Sequence, residues 1–297
     1  MATERELNKR IKSIKNISQV TSALAAVSAS KASRAQKQVE ATRDYAGKAF
    51  EILHNLAAQP DTTHPLLTVR ETVKNVGLIL ISGDRGLCGA YNTNIIQRTE
   101  VFIRALNAPV QVVAVGRKGR DLMIRRGYNV VATFENRDTP SILDITPIAK
   151  IVMEDYLSGK VDQVFVAYTD FINLINRRPT VKQLLPLKPL DFAGMAVAEY
   201  VQHVDFEAAS LRTYTYEPHP EVLLDTIVPR FTQLQIYQSI LEALASEYSA
   251  RMVAMNNATD NAGELIDVLT LDRNKARQAS ITSEILDIVG GAESLRK

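Results

Sequence analysis

The residues best suited to chemistry lie in one short loop, which reads GDRGLCG at positions 83–89. It follows a β-branched run that predicts a strand, and glycine-rich turns at that position bind phosphate in dinucleotide-binding proteins. The loop has neither the GxGxxG spacing nor the Gly-Lys-Ser/Thr ending of a P-loop, and the acidic residue expected after the next strand is missing. The sequence therefore favours a structural strand-to-helix turn over a nucleotide site.

Other candidate catalytic groups lack the partners that they would need. Ser82 and Ser141 have no nearby His and carboxylate that suggest a triad. Cys88 lies near a possible helix N-terminus with Arg85 close by, a setting that can lower a thiol pKa, although a small buried side chain is the favoured role. A single cysteine and four scattered histidines lack metal-ligand spacing. We expect no catalytic residue, no metal site and no cofactor.

The central region predicts an α/β fold, because short β-branched runs alternate with helix-compatible segments. This pattern is typical of a mostly parallel, Rossmann-like sheet with crossover helices. The predicted strands are 76–82, 110–115, 129–134 and 163–168, with a further edge strand at 179–187, and the predicted helices are 91–106, 117–126 and 141–158.

Two much longer helices flank this region, at 3–57 and 219–289. The first is basic, since residues 1–50 contain ten Lys/Arg against four acidic residues. That excess fits a solvated helix face, a nucleic acid or an acidic protein partner, and the absence of interleaved aromatic residues argues against nucleic acid. An apolar stripe is predicted along it at Leu7, Ile11, Ile14, Ile17, Val20, Leu24 and Val27.

The C-terminal helix carries a second stripe with heptad-like steps, and Pro218, Pro220 and Pro229 are predicted to mark its start. The stripe consists of Tyr237, Leu241, Leu244, Tyr248, Met252, Met255, Ala262, Ile266, Leu269 and Ala276. Two such stripes predict an antiparallel intramolecular coiled coil. We expect about 15 residues of the longer helix, on the order of 20 Å, to project unpaired. This end is apolar on more than one face, so either another protein encloses it or it folds back on the central domain. Its apolar residues are Ile281, Ile285, Leu286, Ile288 and Val289.

These patterns predict three domains: an N-terminal coiled-coil helix at 1–60, a Rossmann-like domain at 70–205 and a C-terminal coiled-coil helix at 215–297. No segment approaches the roughly 18 consecutive apolar residues of a membrane span. The N-terminus lacks the apolar stretch of a secretory signal, so we expect the chain to stay in the compartment where it is made.

Four segments of the sequence resemble the gamma subunit of F-type ATP synthases. They lie in both long helices and in the loop after the first strand, and they read RIKSIKNISQVTSA (10–23), GDRGLCGAYN (83–92), SEYSARMVAMNNATDNAGELI (246–266) and NKARQASITSEILDIVGGA (274–292). The resemblance implies a central shaft without a catalytic site of its own. In that family the coiled coil enters the hexamer of alpha and beta subunits, and the foot binds the epsilon subunit and the c ring. Ion-driven rotation of the shaft changes the conformations of the beta subunits for ATP synthesis, and hydrolysis reverses it.

Individual residues match family positions. Arg251, Gln278 and Thr282 correspond to contacts with the beta subunit, and the resemblance implies that Ile281, Ile285 and Ile288 face the sleeve around the tip. Tyr214, Tyr216 and Glu217 resemble the foot that contacts epsilon and the c ring. The segment 22–27 departs from many bacterial members, which have bulkier Met and charged residues there. A single cysteine excludes the regulatory disulfide of chloroplast relatives.

The resemblance also implies a peripheral position on the cytoplasmic face of a bacterial cell membrane, reached only through the complex. Two other functions remain open from the residues alone. A Rossmann-like nucleotide-binding enzyme would bind a nucleotide as an isolated chain. A coiled-coil scaffold would instead self-associate through its helices.

Overall fold

The element order confirms the predicted alternation between two long helices. The structure is a computed structural model that describes residues 3–57, 64–188, 217 and 219–294. The helices and strands of these residues are α1 (Glu4–Ala57), β1 (Val76–Ile81), α2 (Tyr91–Ala105), β2 (Val110–Val115), α3 (Arg117–Arg125), β3 (Asn129–Phe134), α4 (Ile142–Leu157), β4 (Gln163–Phe171), β5 (Arg177–Leu185) and α5 (Pro220–Ser294).

The five strands form one sheet in the order β3-β2-β1-β4-β5. The first four are parallel, and β5 pairs antiparallel with β4, as expected for an edge strand. The order reverses at β1, whose neighbours are β2 and β4. In such sheets, ligands bind outside the carboxyl ends of the strands at this reversal, so the loop after β1 lies where a nucleotide would be sought.

The chain divides into two compact units: a helical unit of residues 1–28 and 251–297, and a central unit of residues 29–250. In the central unit α1 and α5 are antiparallel. The Phe50 and Phe231 ring centroids are 5.8 Å apart, and the Lys31 ammonium is 5.3 Å from the Tyr248 ring centroid. In the helical unit the hydroxyls of Thr21 and Thr259 are 2.7 Å apart. The predicted three-domain division stays a prediction.

The buried face of α1 differs from the predicted stripe. Leu7 and Ile11 are buried, but Ile17, Val20 and Val27 are more than half exposed. Small residues continue the heptad steps instead, and the buried ones are Thr21, Ala25, Ser28, Ala32 and Ala35. The predicted stripe was built from the largest apolar side chains, and several of these lie on a face next to the buried one. A tightly packed helix pair selects small residues at its closest approach because large ones would hold the backbones apart.

On α5 the predicted stripe is confirmed at Leu241, Leu244, Tyr248, Met255 and Ala262, all buried. The helix begins at Pro220, which confirms the predicted start, but Pro229 lies inside the helix and does not mark its boundary. Pro220 occupies the first helical position, where the missing N–H costs nothing. Pro229 removes one internal hydrogen bond, and the buried residues on both sides, such as Val228 and Phe231, stabilise the helix through it.

The end of α5 carries no cover from the described part of the chain. Every residue of 277–292 is exposed, including the five apolar residues singled out above. Enclosure by another protein and folding back on the central domain both stay predictions for this end. None of the described helices is both long and apolar enough to cross a membrane.

Candidate functional site

The loop after β1 carries a carboxylate that binds backbone N–H groups beyond the next two strands. The Asp84 carboxylate accepts hydrogen bonds from the backbone N–H of Arg117, at 2.8 Å, and from that of Asn136, at 3.1 Å. Arg117 is the first residue of α3, and helix N-termini attract anions through their free N–H groups. Asp84 therefore caps the N-terminus of α3, the helix that follows β2.

Ser82 fills the rest of this turn. Its hydroxyl accepts a hydrogen bond of 2.8 Å from the Gly119 N–H and donates to the Val115 carbonyl at 3.2 Å. Gly116 and Gly119 lie so close that a β-carbon would stand 2.0 Å from the Ser82 carbonyl oxygen and 2.6 Å from its hydroxyl oxygen, respectively. Protein atoms thus occupy the turn, which supports the predicted structural role and disfavours a nucleotide site.

Helix α5 crosses the carboxyl ends of the strands. Ser246 donates a hydrogen bond of 3.0 Å to the carbonyl of Thr169, near the end of β4. A β-carbon on Gly83 would lie 2.9 Å from the Glu247 carboxylate carbon, so this helix also covers the end of β1. Cys88 is buried beside Tyr91 and Ala250, which confirms its predicted place as a small buried side chain.

Three polar residues fasten the long helices to the α/β domain within the central unit. Asp138, in the loop after β3, pairs with the Lys31 ammonium of α1 and accepts a hydrogen bond of 2.6 Å from the Tyr248 hydroxyl of α5. The hydrogen bond from Lys31, followed by that from Tyr248, lowers the pKa of Asp138 below its ordinary value. This cluster joins both helices to one loop of the sheet.

This cluster could not be predicted as a unit from the sequence. Lys31 belonged to the predicted basic excess and Tyr248 to the predicted stripe of α5. Asp138 carried no local signal, since it lies 107 residues from Lys31 and 110 from Tyr248. Only the fold brings the three together.

The residues expected to contact a surrounding protein lie on α5. Gln278 and Thr282 are exposed one helical turn apart, and the Thr282 hydroxyl donates to the Gln278 carbonyl at 2.9 Å. Arg251 is half-buried. Ile281, Ile285 and Ile288 are 49%, 55% and 71% exposed, which leaves a large apolar area open on this helix end.

The predicted foot residues are mostly beyond the described part of the chain. Tyr214 and Tyr216 lie outside the described residues, and Glu217 is exposed just before α5.

Known proteins match this chain over nearly its whole length. A family model described as "ATP synthase" matches residues 3–295. An ATP synthase gamma chain of Dehalococcoides mccartyi is 44% identical over 299 residues, covering 99% of this chain and 100% of the relative. The ATP synthase gamma chain of Moorella thermoacetica is 42% identical over 298 residues, with both chains fully covered.

Solved structures share the fold. A chain of the central stalk and c-ring structure of the Tetrahymena thermophila mitochondrial ATP synthase matches with a TM-score of 0.59 and 25% identity, covering 80% of this chain and 99% of that chain. A chain of the Euglena gracilis mitochondrial ATP synthase matches with a TM-score of 0.65 and 18% identity, covering 98% and 94%.

Proposed function

The chain belongs to the ATP synthase gamma family, and from this premise we propose that it is the central-stalk rotor of an F-type ATP synthase. As a gamma subunit it couples ion-driven rotation of the membrane c ring to conformational changes at the catalytic beta subunits. Rotation in one direction supports ATP synthesis, and hydrolysis drives the other.

The partners follow from this role. The α5 end enters the hexamer of alpha and beta subunits, and the foot binds the epsilon subunit and the c ring. The chain itself reaches the cytoplasmic face of a bacterial cell membrane through the complex, as a peripheral protein without nucleic-acid partners. It holds no catalytic site, since the ATP chemistry belongs to the beta subunits.

The exposed end of α5 is the observation that carries this proposal. Residues 277–292 form a regular helix whose apolar side chains are open to solvent in the isolated chain. A surface of that kind is typical of a protein interface. A rotor acts by contacting different beta conformations unequally, because only a difference in binding free energy shifts a conformational equilibrium.

The contact residues are proposed accordingly. Arg251, Gln278 and Thr282 contact the beta subunits, and Ile281, Ile285 and Ile288 face the sleeve. Exposure of Gln278 and Thr282 on one helix face supports a shared contact. Tyr214, Tyr216 and Glu217 contact epsilon and the c ring.

Reconstitution tests the function. The purified chain is mixed with alpha and beta subunits, with and without residues 277–297, and the complex mass and ATPase activity are measured. We expect a complex with one copy of the chain, ATPase activity that depends on it, and weaker activity after truncation. If no complex forms and the isolated chain instead binds ATP, the rotor assignment is wrong.

A further inference from the structure

The turn between β4 and β5 presents three large apolar side chains to solvent. Ile172 is 55% exposed, Leu174 41% and Ile175 77%. They are consecutive or nearly so at the tip of a hairpin in the central unit. Three exposed apolar residues together form a patch of the kind that marks an interaction site. We call Ile172, Leu174 and Ile175 the hairpin tip.

The hairpin tip is held in one conformation. The Asn173 side-chain oxygen accepts hydrogen bonds from the backbone N–H of Ile175, at 2.9 Å, and of Asn176, at 2.7 Å. The Asn173 N–H donates to the Asn176 carbonyl at 3.1 Å. Because these bonds fix the turn before any partner arrives, binding through it would cost little conformational entropy.

Turn formation does not explain the apolar residues. Two-residue hairpin turns usually select Gly, Asn or Asp, which tolerate positive φ. Leu174 and Ile175 adopt negative φ, since Leu87 is the one non-glycine residue with positive φ in the described part of the chain. Asn173 closes this turn through its side chain, so the next two positions could be polar at no cost to the backbone.

Cations border the hairpin tip. The Arg177 guanidinium donates to the Leu174 carbonyl at 3.3 Å and forms no ion pair within the described residues. Next along β5, a groove of about 660 Å³ runs between β5 and α2. Arg98 and Arg178 line it, and the Arg178 guanidinium pairs with the Asp170 carboxylate at 2.9 Å. The Lys182 ammonium also belongs to the lining but is buried, 5.8 Å from the Tyr168 ring centroid. The surface therefore combines an apolar tip with two cationic side chains, the exposed Arg98 and the half-buried Arg177.

We propose that the hairpin tip and the adjoining groove bind an acidic segment of a partner protein in the assembled complex. An apolar pocket of the partner receives Ile175 and Leu174, and carboxylates beside that pocket meet Arg177 and Arg98. Opposite charges around an apolar contact set orientation and speed association. The inference rests on the proposed function, because the partner is sought among the subunits of the reconstituted enzyme.

Site-specific photo-cross-linking tests it. Ile175 is replaced by benzoylphenylalanine, the chain is reconstituted with alpha, beta and epsilon subunits, and the cross-linked peptide is identified by mass spectrometry. Leu157, 52% exposed at the end of α4, is the matched control position. We expect position 175 to cross-link to one segment that contains Asp or Glu beside apolar residues. Position 157 should not reach that segment.

Charge variants separate a specific contact from chance proximity. Arg177→Glu should lower the cross-linking yield about five- to tenfold, and Arg177→Lys should retain most of it. An active complex with no cross-link at position 175, or with a cross-link only to a second copy of this chain, would overturn the inference and leave the rotor role intact. Failure to form a complex would overturn both. Equal yields for the Glu and Lys variants would also contradict it.

Discussion

Gly116 illustrates how a single residue permits the close approach of the ends of β1 and β2. Its φ is 95°, and a β-carbon there would stand 2.0 Å from the Ser82 carbonyl oxygen. The substitution Gly116→Ala therefore combines backbone strain with a clash against backbone atoms that cannot rotate away. We expect a loss of about 3 kcal/mol or more in the free energy of unfolding, measured as a lower midpoint of urea denaturation.

Gly127→Ala is the matched control for Gly116→Ala. Gly127 also has positive φ, 81°, but no atom lies within 4 Å of the place of its β-carbon. It should cost only the left-handed strain, about 1–2 kcal/mol. Equal losses in the two variants would show that the close approach to Ser82 contributes nothing.

Asp138 gives a prediction with a defined pH dependence. Hydrogen bonds from Lys31 and then Tyr248 lower its pKa in the folded state below 3.8. A carboxyl with a lowered folded pKa stabilises the fold above its unfolded pKa and loses that contribution as pH falls through the folded value. Its side chain is 58% exposed, so we expect Asp138→Asn to cost only about 0.5–1 kcal/mol at neutral pH.

The measurement compares urea midpoints of Asp138→Asn and the unaltered chain from neutral pH to below 3.8. The two should converge at the acidic end because both then have a neutral side chain. Asp121→Asn, at an exposed pair with Arg120 on α3, is the control and should change little at any pH. A difference that persists unchanged in acid would contradict the electrostatic origin.

At the scale of elements, regular patterns could be predicted from the sequence and irregular packing could not. The strands and the α5 stripe follow from β-branched runs and from Leu241, Leu244 and Tyr248 at heptad spacing, which local chain geometry sets. The buried face of α1 could not be read from bulk, because Thr21 and Ala25 pack inward while Val20 points outward. Small residues carry almost no periodic hydrophobic signal.

The candidate site was predictable to a similar extent. Exposure of the α5 end followed from the difference in helix lengths, and the structural role of the 83–89 loop followed from its wrong spacing for phosphate. The groups that fill the loop were not predictable. Asp84 meets Arg117 and Asn136 across 33 and 52 residues of sequence, and a single sequence gives no sign of such distant pairs.

A double substitution at the end of α5 tests the proposed contact with the beta subunits without disturbing the fold of the chain. Gln278→Ala with Thr282→Ala removes two exposed polar side chains from one face, and alanine favours helix, so the isolated chain should stay folded. We expect ion transport per ATP hydrolysed in the reconstituted enzyme to fall about two- to tenfold, the range for one or two lost hydrogen bonds.

The matched control uses the same helix on another face. Ser280→Ala with Glu284→Ala also changes two exposed residues one turn apart. This control should lower ion transport per ATP hydrolysed less than Gln278→Ala with Thr282→Ala does. If both pairs had the same effect, or neither had any, Gln278 and Thr282 would lose their proposed role.

At the scale of the whole molecule, the rotor role requires the two long helices to turn together. α1 and α5 each belong to the helical unit and to the central unit. If the chain turns as one body, fixing one helix to the other inside the helical unit should not impede it. A scaffold or switch that works by moving one helix along the other would lose its function when the two helices are joined.

The Thr21–Thr259 pair allows this test, because its hydroxyl oxygens are 2.7 Å apart. A disulfide needs β-carbons about 3.5–4.5 Å apart, so Thr21→Cys with Thr259→Cys should cross-link with a small side-chain adjustment. Cys88 is buried and should not compete. We expect oxidation to leave ATPase activity and ion transport of the reconstituted enzyme within about twofold of the reduced form, since less than about 0.5 kcal/mol of any barrier changes. The Thr21→Cys single variant controls for oxidation itself, and loss of activity in the oxidised double variant alone would mean that the helices must slide for function.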